Sequence, residues 1–283
     1  MKLLAIIVGL ALAVSGEESP VWQDYHEEFG IPEAARIKQA EQAVDFDGAR
    51  IVGGATSTLG QHPHSAGLIG ILPDGRQSLC GAAIVSNTRL LTTAHCWRHG
   101  RTVLDGFYVI LGSLQLFSGG TRIFTSSVQV HADYNQSTLN NNLAIIETRW
   151  IPFDKNINSI KIASGADTFE GRWATASGFG SHGDISNLLP NPLRHVRMQV
   201  ISNAACAAVY GSRLVVESVL CTATAGGQGI CSGDSGGPLD VDTGAERLLI
   251  GLAAFHHARG CEAGFPNAFT RVTSFAHWIQ ERL

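Results

Sequence analysis

The run Cys231–Leu239, CSGDSGGPL, sets one serine among glycines and closes on a proline. Two kinds of chemistry use such a serine. In one, Gly233-Asp-Ser-Gly-Gly237 is a G-x-S-x-G elbow, strained between a strand and a helix. In the other, the serine heads a loop whose backbone N–H groups face a developing oxyanion, and a separate histidine takes its proton. A plain glycine turn is the bland alternative. Pro238 and a strand-like continuation argue against the elbow, which requires a helix at that point. A candidate base stands in Leu91-Thr-Thr-Ala-His95-Cys96, at the end of an apolar run.

These side chains need a scaffold that brings distant loops together. From Ile51 onward the chain alternates short apolar runs (GAAIVS, RLLTTA, FYVILG, SVQVHA, LAIIE, RHVRMQVI, RLLIGLAAF) with Gly, Asn, Ser and Pro. Many short strands between turn residues predict an all-β sandwich or barrel rather than βαβ units. Only TSFAHWIQERL at the end reads as helix, with Phe275, Trp278 and Ile279 on one face.

The first fifty residues differ. Met1–Gly16 carries a lysine, an apolar run from Leu3 to Val14 and then small residues, the pattern of a cleaved secretory signal. The run is too short for an anchor, so export as a soluble protein is expected. Residues 17–50 hold nine acidic and three basic residues, no cysteine, and a helical stretch beginning at Pro32. Taking this segment from a net charge of −4 leaves the remainder near neutrality. That balance gives no electrostatic case for nucleic acid or an anionic membrane as partner. Six cysteines in an exported chain suggest three disulfides, with fifteen possible pairings. No Cys-x-x-Cys spacing supports a zinc site. His256 and His257 are adjacent and would point apart on a strand, so no metal is expected. His62, His64, His99 and His182 read as loop or surface histidines, and Asn135-Gln-Ser137 is a glycosylation sequon.

Four separated motifs then agree: Ile51-Val-Gly-Gly after Arg50, the His95–Cys96 run, the Ser235 loop, and GCEAGFPNAFTRVTSFAHWI near the end. Together they resemble the chymotrypsin-type (S1 family) serine proteases over residues 51–283, with arthropod digestive chymotrypsins and serine collagenases the nearest in texture. The resemblance implies two antiparallel six-stranded β-barrels, at roughly 51–162 and 163–270, followed by a C-terminal helix. It implies a signal peptide at 1–16 and an activation propeptide at 17–50, cleaved after Arg50 by another protease. Because that segment has no cysteine tether, it is expected to leave on cleavage. The new amino group of Ile51 would pair with Asp234 and order the N–H groups of Gly233 and Ser235 into an oxyanion hole. Ser235 would be the nucleophile, His95 its base, and Gly229, Ser232, Ala254, Phe255, His256 and Asn267 would line the substrate site. The implied disulfides are Cys80–Cys96, Cys206–Cys221 and Cys231–Cys261. The family works as a secreted monomer without cofactor, on peptide or protein substrates, and is blocked by protein protease inhibitors.

Three positions depart from the pattern. The family places an aspartate where this chain has Asn142, in the run LNNNLAIIE. An aspartate there orients the imidazole and stabilises the imidazolium; an asparagine carries no charge and can donate to the ring. Asp133 is the nearest acid in sequence, and the resemblance puts it on a surface loop. The family's Ser-Trp/Phe-Gly strand reads Ala254-Phe255-His256, which removes a hydroxyl from the acid's surroundings and adds an imidazole at the pocket mouth. Gly229 lacks the acid that selects Arg or Lys. Two functions follow from these residues: a slow serine endopeptidase made as a zymogen, or an inactive homologue that binds a peptide or protein.

Overall fold

The structure, a computed structural model, describes residues 24–43, 55–181, 183 and 192–283. Arg50, Ile51, the region 1–16 and His182 lie outside these residues. The all-β expectation holds, and the strands fall into two main sheets that flank Ser235, with a separate two-stranded ladder of Arg98–His99 and Thr102–Val103.

The first sheet has the neighbour order Thr121–Thr125, Gly106–Leu111, Ser65–Ile71, Gln77–Ser86, Arg89–Thr92, Ala144–Glu147, Val128–Val130, antiparallel wherever strands meet. Its two outermost strands are consecutive in the chain, separated only by Ser126 and Ser127. The sheet therefore curls round, and one bent segment supplies both of its outer strands. The second sheet closes by a ladder. Arg194–Ile201 pairs with Trp173–Gly178, and the order continues through Pro238–Asp242, Arg247–Phe255, Asn267–Arg271 and Val219–Thr222, which pairs back with Arg194–Ile201. Inward positions are apolar in both, as strands with a covered face require. Leu68, Phe107, Val109 and Ile146 fill the first barrel; Leu220, Leu239, Ile250 and Phe269 fill the second. The terminal helix Ala276–Gln280 buries Ile279, with Phe275 just before it, on a cluster that includes Leu249 and Leu252.

Three disulfides are present, Cys80–Cys96, Cys206–Cys221 and Cys231–Cys261. They tie loops that carry chemistry: the first fixes the turn bearing His95, and the third fixes the base of the Ser235 loop. Among the described residues no helix is long and apolar enough to cross a membrane.

Of the loop-or-surface reading, His62 and His64 do lie in the loop before Ser65, but the surface part is corrected, because His62, His64 and His99 are all buried. His64 Nε2 lies 3.1 Å from Asp240, whose other oxygen meets Arg247 at 3.0 Å. His62 sits between the rings of His64 and His195, and burial pushes its pKa down to about 4. Since the unfolded chain binds a proton near pH 6.5 and the folded one near 4, folding stability should fall as pH drops through that window. His62→Phe should flatten that part of a urea-denaturation series between pH 7 and 4. An unchanged slope would show that His62 remains neutral-neighboured and uncoupled to folding.

The acidic segment also takes a definite place. A widened turn at His26–Gly30 leads into a helix, α1, at Ile31–Ala43, which the sequence anticipates from Pro32. Pro32 follows directly on this widened turn, which the Ile31 N–H closes by donating to the His26 carbonyl. Helix α1 buries Ala34 and Ile37 among Ile69, Leu79, Ile110, Leu116, Phe179 and Leu193, on the strands of the first barrel.

Candidate active site

His95 and Ser235 come from different barrels and meet at their junction. Arg89–Thr92 ends in the turn Ala94–Cys96, and that turn presents His95. Ser235 lies in a loop with contacts to both sheets. Its carbonyl accepts from Gly81 N–H at 2.7 Å on the first, while Gly236 N–H donates to Ala253 at 2.7 Å on the second. Gly236 has φ +82°, and a Cβ there would collide with Thr92 Oγ1 and the Gly81 carbonyl. Only glycine fits this approach, which is why the sequence has one immediately after the serine.

Asn142 lies behind His95 and is almost fully buried. The turn that places it carries Leu139 and Asn141 in the left-handed region, each with φ 53°, and asparagine tolerates that conformation better than most residues. Thr270 Oγ1 donates to the Asn142 carbonyl at 2.8 Å. The backbone N–H of His95 donates to Asn142 Oδ1 at 3.0 Å, and Asn142 Nδ2 faces His95 Nδ1 at 2.9 Å. The first contact fixes the second. A backbone N–H can only donate, so it selects the amide oxygen and turns the NH₂ toward the ring. Nδ1 then has to accept, and the neutral ring carries its proton on Nε2. In this tautomer Nε2 cannot take a proton from a hydroxyl. Burial also drives the His95 pKa well below its ordinary value, with His99 and His26 adding repulsion, so the ring is neutral. Ala254, also buried, supplies no hydroxyl near Asn142. Asp133 is exposed on its loop, and its carbonyl accepts from Asn141 Nδ2 at 3.0 Å.

Asp234 is held beside the loop. Its Oδ1 accepts from Gly180 N–H at 2.8 Å and its Oδ2 from Cys231 N–H at 3.0 Å. Burial nevertheless raises its pKa to about 6. A cavity of about 190 Å³ adjoins it, lined in part by Gly180, Arg194, Gly229 and Cys231. A half-buried carboxyl with an elevated pKa next to a cavity is suited to receive a cation. Gly233 has φ +94°, and a Cβ there would collide with Leu79 and crowd Gly180.

In the region read as the substrate site, Asn267 Oδ1 accepts from Ile230 N–H at 2.9 Å. The same oxygen occupies the space where a Cβ on Gly229 would go. Ser232 contacts the opposite wall through its carbonyl, which accepts from Ser181 N–H at 2.7 Å. Phe255 is buried edge-on against Tyr210. His256 follows the end of its strand, with Nδ1 3.1 Å from the His257 carbonyl. Cys80, His95 and Cys96 are the metal-capable side chains that cluster among the described residues, and their two sulfurs are bonded to each other.

Residues that the motifs do not mark cover this site. Tyr25 stacks edge-on over His95, ring centroids 4.7 Å apart. Its hydroxyl donates to the Leu79 carbonyl at 2.7 Å, and the Ser235 side chain lies beside the phenol. Phe29 packs edge-on against His256 at 5.9 Å. The signal available in sequence was the pair Tyr25 and Phe29 in the short acidic run DYHEEF.

The family model described as Trypsin matches residues 51–279. A collagenase of Hypoderma lineatum is 36% identical over 235 residues, covering 82% of this chain and 86% of its own. Brachyurin of Leptuca pugilator is 35% identical over 81% of this chain and 97% of its own, and serine protease 1 of Drosophila melanogaster is 31% identical over 82% and 85%. The solved HL collagenase superposes with a TM-score of 0.74 at 34% identity, over 82% of this chain and 98% of that one. With matched motifs, matched fold and relatives at this identity across most of its length, the chain belongs to the trypsin family of serine proteases.

Proposed function

We propose that this protein is a secreted serine endopeptidase made as a zymogen, in which Ser235 attacks the scissile carbonyl and His95 manages the proton. The observation that carries this reading is the convergence of His95 and Ser235 at the barrel junction, on a loop that only glycine at 236 permits. Cleavage after Arg50 would free Ile51, and the half-buried carboxyl of Asp234 is the group that its ammonium would neutralise. Gly233 and Ser235 N–H groups would then stabilise the tetrahedral oxyanion.

Turnover is expected to be slow. The acyl-transfer step requires Nε2 to accept the serine proton, so the ring must first move its own proton to Nδ1 and break the amide contact from Asn142. The test is to cleave purified protein after Arg50, separate residues 17–50 from it, and follow burst acylation of Ser235 with an active ester or fluorophosphonate. Labelling that Ser235→Ala abolishes supports the endopeptidase. No labelling between pH 5 and 9 would instead make the chain a peptide-binding homologue.

Pocket preference follows from Asn267. Its amide fills the pocket base beside Gly229, so small or medium apolar side chains should be favoured, and a cation would lose its solvation without a partner. Gly229→Asp alone should not confer cleavage after Arg, because the new carboxyl meets the Asn267 amide. The pair Gly229→Asp with Asn267→Gly should raise kcat/KM for Arg substrates by about 10²-fold over the single change, as a new buried ion pair with room to form would. Profiling with a peptide library checks this. Equal Arg cleavage by the single and double variants would show that Asn267 does not limit the pocket.

A further inference from the structure

We propose that residues 24–43 are an active-site-directed inhibitor built into the chain, which stays bound without a covalent link after cleavage at Arg50, so that activation requires its release as a second step. The inference rests on the endopeptidase reading for its purpose and on the packing of this segment for its substance.

The segment is anchored at both ends and in the middle. At the first end, Asp24 accepts from Arg101 N–H at 3.3 Å and Thr102 Oγ1 at 3.2 Å, and Tyr25 N–H donates to His99 Nδ1 at 3.1 Å. Tyr25 and His26 are buried, and His26 Nδ1 meets Ser78 Oγ at 2.8 Å. In the middle, Ile37 and Ala34 enter the apolar cluster above Leu79 and Phe179. At the far end, both carboxylate oxygens of Glu41 accept from the loop 116–118, from Leu116 N–H at 2.7 Å and from Phe117 N–H and Ser118 Oγ at 3.0 Å. A further pair, Arg76 with Glu27, is bidentate at 2.8 Å but exposed, and adds little.

The placement is not that of a passive leader. The phenol of Tyr25 lies on His95 and beside Ser235, so the two groups of the reaction are both covered by one side chain. Phe29 adds a second aromatic at His256. The contacts are apolar and hydrogen-bonded, and none of them requires the bond between Arg50 and Ile51. The expectation that a segment without cysteine simply departs on cleavage leaves these anchors out of account.

The test keeps the full chain. Protein cleaved after Arg50 is passed over a sizing column at neutral pH and weighed by mass spectrometry. The wild-type segment should co-elute with 51–283; Ile37→Glu, which places a charge in the apolar cluster, should release it. Fluorophosphonate labelling of Ser235 and carbethoxylation of His95 should each be at least about 30-fold faster in the released variant, the ratio expected when a site binds its blocker with about 2 kcal/mol to spare. Adding synthetic peptide 24–43 to the variant should restore protection, and the Tyr25→Ala peptide should not. Loss of the wild-type segment on the column, or co-elution without protection of His95, would overturn the proposal. If Ser235 stays unlabelled in every sample, the endopeptidase reading fails while the column and His95 modification still decide whether the segment docks as an inhibitor.

Discussion

Asn142→Asp should raise kcat/KM of the cleaved protein, freed of its N-terminal segment, by about 10²–10³, the largest gain that any single substitution offers here. The geometry is already that of a carboxylate. Oδ1 would keep the N–H of His95, now at 3.0 Å, and the second oxygen would replace an NH₂ that stands 2.9 Å from Nδ1. The replacement reverses the sense of that contact. Nδ1 must then donate, the proton leaves Nε2, and the ring can accept from Ser235. The charge would also raise the His95 pKa, which burial now depresses, and stabilise the imidazolium formed in the reaction. In a chymotrypsin-type enzyme the opposite change costs about 10⁴ in kcat, or about 5.5 kcal/mol of barrier.

The single change should fall short of that figure for two reasons on the page. Thr270 Oγ1 bonds the Asn142 backbone carbonyl, not its side chain, and Ala254 has no hydroxyl to offer the new carboxylate. His256, which the family pattern would put at the pocket mouth in place of a glycine, would also remain. The triple change Asn142→Asp, Ala254→Ser, His256→Gly should therefore exceed the single one by a further factor of about 10, roughly one hydrogen bond to a charged group. Kinetics on a small-residue ester would measure both. If Asn142→Asp leaves the rate unchanged, the histidine tautomer is not what limits the chain; if single and triple variants agree, the strand end at 254–256 is not limiting either.

Much of this site could be read before the fold was known, and the reason is local chemistry. Ser235 and Gly236 are legible because a tight turn against Gly81 admits no side chain, so the sequence must spell glycine there. Asn142 is legible because a strand of a set pattern, LAIIE, follows it and fixes its position in the barrel. The histidines at 62, 64 and 99 were misjudged because burial depends on contacts distant in sequence. His64 is satisfied by Asp240 from the other barrel, and His99 by the backbone of Tyr25 from the acidic segment. The segment's role was illegible for the same reason. Its charge argues for a solvated leader, while the anchoring falls to Tyr25, Ile37 and one carboxylate, Glu41. A composition average does not show three well-placed side chains.

Acid should loosen the docked segment. His26 is buried between the segment and the barrel, and burial holds its pKa at about 4, against 6.5 for an exposed imidazole. The docked form therefore binds fewer protons than the released form. Docking is at full strength above pH 6.5 and weakens as pH falls from there toward 4, by up to about 300-fold if His26 titrates alone. The groups that face it bear on the sign. Asp24 and Glu27 on its own segment favour the cation, whereas His99 across the interface opposes it and Ser78 bonds Nδ1. His99 acts in the same direction as His26, since its Nδ1 accepts the Tyr25 N–H and its pKa is also lowered by burial. Protonating that nitrogen would abolish the contact. The expected result is a cleaved chain that keeps its segment on a column at pH 7.5 and sheds it near pH 4.5, with circular dichroism unchanged across the range so that general unfolding, to which His62 contributes, is set aside. His26→Gln cannot titrate and should retain the segment to a pH at least about half a unit lower. A wild-type segment that stays bound at pH 4.5, or a His26→Gln chain that releases at the same pH as wild type, would show that His26 does not couple protons to docking.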